Sequence, residues 1–221
     1  MSVPRLRLLG AAAIFVVLAA CSGSAEPEQG GADKSATPSA SASESPAAPT
    51  YKVKSKDELE DLLLGIDDLP AGWSQDPPTD EGNKYFCDYD PPAEEKFRAS
   101  RDFTKGGGVS AELARVAIRQ FESVEDAKAS WDALVKALKT CKSEVYEGSE
   151  LTYTPMSAPK VGDASAGVKI ETDGTTLLQN FVLVGPVMIS AGGGGLASAD
   201  ADLAIELAEA QVARYSQGAK Q

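Results

Sequence analysis

The fold is decided by Ser165–Ala191, SAGVKIETDGTTLLQNFVLVGPVMISA, which reads as three strands in a row. Ser165–Glu171, Thr175–Val184 and Val187–Ala191 are rich in Val, Ile, Leu, Thr and Phe, side chains that fill a pleated surface well. Asp173-Gly174 separates the first two, a tight-turn pair because both central residues can take positive φ. Gly185-Pro186 separates the second and third. Connections this short allow only antiparallel neighbours, since a parallel pair needs a crossover of a dozen or more residues. The segment therefore predicts an antiparallel meander.

Working outward, Gly192–Gly195 reads as a loose turn, after which Ser198 caps a last helix running to about Ser216. Asp200 and Asp202 in its first turn suit the helix dipole. Upstream, Leu151–Thr154 is a further strand. Before it, Ser123 caps a helix in which Ala127, Trp131, Leu134, Val135 and Leu138 recur at helical spacing, and Cys141 lies just past its end. Phe97–Thr104 and Val109–Phe121 form a hairpin around Lys105-Gly106-Gly107-Gly108, and Tyr85–Tyr89 is a short strand carrying Cys87. Ser55-Lys56-Asp57-Glu58 is a capping box that opens a short helix with Leu59, Leu62 and Leu63 on its apolar face. Gly65 ends it, and Ile66–Trp73 is a turn-rich connection. The expected class is α+β, an antiparallel sheet of about six strands flanked by two long helices and one short N-terminal helix.

The N-terminus carries a different signal. Arg5 and Arg7 precede the apolar stretch Leu8–Leu18, which is of signal-peptide length and too short for a comfortable membrane span. It ends in Leu18-Ala19-Ala20-Cys21, which resembles the bacterial lipobox, in which the cysteine thiol receives a diacylglycerol and becomes the first residue. Residues 1–20 are thus expected to be a lipoprotein signal peptide and Cys21 the palmitate-type lipidation site. Two or more acyl chains, each contributing about 0.8 kcal/mol per buried CH₂, would hold the protein at the extracytoplasmic face of the cell membrane. Ser22–Thr50, dominated by Ala, Ser, Pro and Gly, has too little apolar surface to offset the entropy of ordering. As a tether, residues 21–50 would span roughly 30 Å, leaving 51–221 as the single extracellular domain.

Of the three cysteines, lipidation of Cys21 leaves Cys87 and Cys141, which in an oxidising compartment are expected to pair. Free thiols or a thiol-redox site are the alternatives, without C-x-x-C spacing to favour the latter. A net charge of −12 argues against nucleic acid, which demands a basic stripe. The absence of histidine removes the usual general base and transition-metal ligand. Ser157 and Lys160 match S-x-x-K, but Pro155 and Pro159 make the segment a loop. Asp67-Asp68 and Asp88-Tyr89-Asp90 are the best carboxylate pairs, for acid–base hydrolysis or a hard cation, yet neither has EF-hand spacing. Trp73 and Trp131 read as core. The residues thus offer no catalytic set, no metal site and no cofactor, and no ligand-binding residue can be named.

LLLGIDDLPAGW (Leu62–Trp73), the strand cysteine Cys87, FESVEDAKASWDALVKALKTC (Phe121–Cys141) and VGDASAGVKI (Val161–Ile170) with its following apolar hairpin resemble a group of actinobacterial lipoproteins. These are similar to the extracellular sensor domain of PknH-type receptor Ser/Thr kinases. The resemblance implies an antiparallel sheet flanked by helices with a cleft, and a sensing or binding role. Kinase-linked members carry two disulfides where this chain can form one. The expectation is a non-enzymatic, sensor-like domain for a small envelope ligand or a partner protein. The rivals are a carboxylate-dependent envelope hydrolase using Asp88 and Asp90, and a structural envelope lipoprotein without ligand.

Overall fold

The computed structural model describes residues 50–78, 86–196 and 199–219. Residues 1–49, with the expected signal peptide, Cys21 and nearly all of the tether, lie outside the described residues, as do Tyr85 and Ser198. The elements in chain order are α1 (Lys56–Asp61), β1 (Trp73–Gln75), β2 (Phe97–Lys105), β3 (Glu112–Gln120), α2 (Val124–Thr140), β4 (Ser143–Tyr146), β5 (Ser149–Met156), β6 (Ala164–Thr172), β7 (Thr175–Val184), β8 (Val187–Gly195) and α3 (Ala201–Ala219). The strands form one antiparallel sheet in the order β1-β2-β3-β8-β7-β6-β5-β4. The class is α+β as expected, but the described strands number eight, where about six were expected.

Both added strands are short edges. β1 begins at Trp73, inside the stretch read as a turn, and β4 pairs with β5 through Glu147-Gly148, whose φ values of 50° and 87° give a tight hairpin. The Asp173-Gly174 turn behaves as predicted, with φ of 42° and 82°. β3 begins at Glu112 and not at Val109, because Gly108–Ser110 coil into a 3-10 turn.

Two further corrections concern the site. The segment read as a strand through Cys87 is a single 3-10 turn, Phe86–Asp88, in which Cys87 takes φ 47°, a left-handed conformation no pleated strand can hold. Gly192–Gly195, read as a turn, is the second half of β8, hydrogen-bonded to β3 on one side and β7 on the other. The glycines are there for space. A Cβ on Gly192 or Gly194 would run into the carbonyl oxygens of Leu178 or Thr176 on β7.

Helices cover both faces of the sheet. On one, α3 lies over β7 and β8 and α1 against β2, burying Val116, Ile118, Val182, Ile189, Leu207 and Tyr215. Buried amides fasten this side. Gln211 accepts from Leu64 N–H (2.9 Å) and donates to Leu62 C=O (2.8 Å), and Asn180 donates to Ala204 C=O (3.0 Å). Ser55 and Glu58 close the predicted capping box, and α3 is capped by Asp200, which accepts from Asp202 and Leu203 N–H. On the other face α2, capped by Ser123, lies over β5, β7 and β8 with Trp131, Leu134 and Leu138 against Tyr153, Val168, Leu183 and Met188. No helix among the described residues is long and apolar enough to cross a membrane.

Candidate functional site

α2 covers only part of its face. Toward β2 and β3 the strand alternation places Arg98, Ser100, Asp102 and Thr104, and then Leu113, Arg115 and Arg119, on the same side as α2. The register aligns Arg115, Gly192 and Gln179 in one row across β3, β8 and β7, and Leu113, Gly194 and Leu177 in the next. With no side chains on the middle strand, the walls face each other across two inter-strand spacings, about 10 Å, over bare backbone. The result is a groove of about 340 Å³ floored by Gly192 and Gly193, with Leu113 and Leu177 as apolar walls and Arg115, Gln179, Asp102 and Asp76 as its polar side. That volume lies within the range of small-molecule sites.

The polar side is ordered by its own bonds. Arg115 Nη1 donates to both Asp102 carboxylate oxygens (3.2 and 3.3 Å), and Nη2 donates to Ser100 Oγ (3.1 Å). Asp76 accepts the Thr104 hydroxyl at 2.7 Å, and its N–H donates to Asp102 C=O at 2.9 Å. Leu113 is 44 % exposed, unusual for a leucine on a strand flanked on both sides. A smaller cavity of about 140 Å³ lies by Gly193 and Gly194, lined by Trp73 and Asp200. There Lys105 Nζ sits 5.7 Å from the Trp73 ring and 3.3 Å from Glu112.

The residues singled out in the sequence lie elsewhere. Cys87 and Cys141 are joined as a disulfide with Cα atoms 6.1 Å apart, pinning the 86–89 turn to the end of α2. Around it, Cys87 N–H donates to Glu144 (3.3 Å), the Tyr153 hydroxyl donates to the same carboxylate, the Phe86 ring lies 4.3 Å from that of Tyr153, and Tyr89 OH donates to Ser130 C=O (2.7 Å). Burial, and then the bond to Glu144, push the Tyr153 phenol well above its ordinary value. Asp90 is exposed on the rim of an open cavity of about 400 Å³ beside the disulfide, and no other carboxylate among the described residues lines it. The side chain of Asp88 lies outside the described residues. Asp68 caps Gly65 N–H at 2.7 Å and pairs with Arg214 at 2.7 Å, a structural assignment. Ser157 and Lys160 fall in an irregular segment after β5. Trp73 and Trp131 are both buried. No group of His, Cys, Asp or Glu among the described residues is arranged to hold a metal ion.

The groove is not legible in the sequence because its floor lies in Gly192–Gly195, which reads locally as a turn. Alternation in Glu112–Gln120 (ELARVAIRQ), with Arg115 and Arg119 on one face, was the available signal that this face is not covered along its whole width.

No protein-family description matches this chain, and no curated protein matches it in sequence. Among solved structures it is similar to the crystal structure of the extracellular domain of PknH from Mycobacterium tuberculosis, with a TM-score of 0.59 and 11 % identity. The alignment covers 76 % of this chain and 100 % of that one. At such an identity the likeness shows the fold alone.

Proposed function

We propose that this is a non-enzymatic, sensor-like binding domain, held at the extracytoplasmic face of the cell membrane through a lipid on Cys21, which takes a small envelope molecule in the groove over Gly192 and Gly193. The groove carries the reading: a concave site with apolar walls and a few convergent polar groups, on a part of the sheet that neither α2 nor α3 closes. The lipobox supports the address, and the shared fold with a domain described as extracellular agrees with it.

The binding test is native mass spectrometry of the mature chain from residue 21, carrying Cys21→Ser to omit the lipid, exported so that Cys87 and Cys141 oxidise, and incubated with envelope extract from its host. A bound mass that disappears on denaturation and is lost in Leu113→Gln is the expected result. Leu113 is exposed enough for that substitution to stay within about 0.5 kcal/mol of the parent stability. A bare mass, or a bound mass indifferent to Leu113→Gln, refutes the groove as the site. For the address, radiolabelled palmitate should mark the native chain and not Cys21→Ser.

A further inference from the structure

Resting on that binding reading, we infer that the groove is built for a small amphiphile with a cationic or amine-bearing head. Its apolar part lies between Leu113 and Leu177, and its head meets Asp76. The observation is the unequal commitment of the groove's charges. Arg115 Nη1 is shared between both oxygens of Asp102 and Nη2 is bonded to Ser100, which leaves the guanidinium occupied and the Arg115–Asp102 pair neutral. An anionic head would have to compete with Asp102 for a guanidinium whose two terminal nitrogens are already bonded.

Asp76 is different. Its carboxylate accepts a neutral hydroxyl, Thr104 Oγ1 at 2.7 Å, and no Lys or Arg among the described residues pairs with it. It is half-buried on the groove's polar side, a carboxylate with no cationic partner among the described residues where a ligand head would arrive. The apolar walls cannot compensate it. Gln179, facing Arg115 across the glycine floor, offers only a neutral amide. The chain's net charge of −12 acts in the same direction by enriching cations near the surface.

The test uses three probes with the same ten-carbon tail and different heads: decyltrimethylammonium, decyl maltoside and decanoate. Each is titrated calorimetrically below its micelle concentration into the mature Cys21→Ser chain at 150 mM salt. The expected order is cation tightest and carboxylate weakest, with the cation ahead of the neutral probe by about fivefold, the scale of one partly screened ion pair. Asp76→Asn keeps an acceptor for Thr104 and should erase that preference without weakening the maltoside. Asp67→Asn, exposed beyond the groove, removes the same charge and should leave the preference intact. A carboxylate that binds tightest, or a preference unmoved by Asp76→Asn, overturns the cationic class while the groove stands. Probe binding that Leu113→Gln does not weaken overturns the groove, and with it this inference. No binding by any probe also overturns the amphiphile class.

Discussion

The two faces of this sheet are closed by different means. Over β2, β3, β8 and β7 the α3 face is a continuous apolar layer with fully buried Val116, Ile118, Val182, Ile189 and Tyr215; there Gln211 bridges two backbone groups of the α1 end and Asn180 holds Ala204 C=O. The α2 face has one helix over part of its width. Its periphery is held by a disulfide and by the bonds that Cys87 and Tyr153 make to Glu144, and beyond the helix it opens into the groove. Hydrophobic burial scales with area and needs no particular geometry. A face that keeps part of its area uncovered must find its order in directional and covalent contacts.

The strongest way to break this contrast is to remove the disulfide. Replacing Cys87 and Cys141 by Ser releases a constraint across 54 residues and should cost about 4 kcal/mol in urea unfolding. In hydrogen exchange, α2 and β5 should lose protection while α3 and β8 keep theirs. Earlier loss in α3 would mean that the two faces are not independent.

Neighbours on β8 sharpen the contrast at a smaller scale, since Met188 and Ile189 point to opposite faces and are both buried. Truncating either to Ala should cost about 3 kcal/mol. In a double-mutant cycle with disulfide removal, Ile189→Ala should add independently. Met188→Ala, within the cluster that packs against both cysteines, should show coupling above about 0.5 kcal/mol.

The smallest effect compares two tyrosines. Tyr153 donates to Glu144, so Tyr153→Phe should cost about 1 kcal/mol. Tyr215 is fully buried, and its hydroxyl has no partner among the described residues, so Tyr215→Phe should be neutral or stabilising. Burial raises both phenols above their ordinary value of 10.0. The unfolded chain therefore ionises them first: their contribution to stability is complete below pH 10 and is lost as pH rises through the folded values. Denaturation followed from pH 8 to pH 11 should show that loss, and each Phe variant should flatten it.

Much of the fold was legible in local chemistry. The capping box at Ser55, the Asp173-Gly174 turn, the meander through Ala191 and the periodicity that puts Trp131, Leu134 and Leu138 on one stripe are properties of a few adjacent residues, and the structure has each of them. The pairing of Cys87 with Cys141 could be anticipated by counting cysteines, which needs no geometry. β4 was legible in principle, because Glu147-Gly148 is a turn pair between alternating residues.

What only the tertiary structure decided is how the glycines are used. A run of four glycines has no side chain to reveal which surface it joins, and by itself it favours a flexible turn, since glycine loses the most freedom when ordered. In the fold that cost is offset because Gly192–Gly195 is hydrogen-bonded along both edges, and only glycine fits under the carbonyls of β7. The groove follows from that placement. Its walls come from strands more than sixty residues apart in sequence, and their facing across bare backbone is a consequence of strand order, which no local pattern encodes.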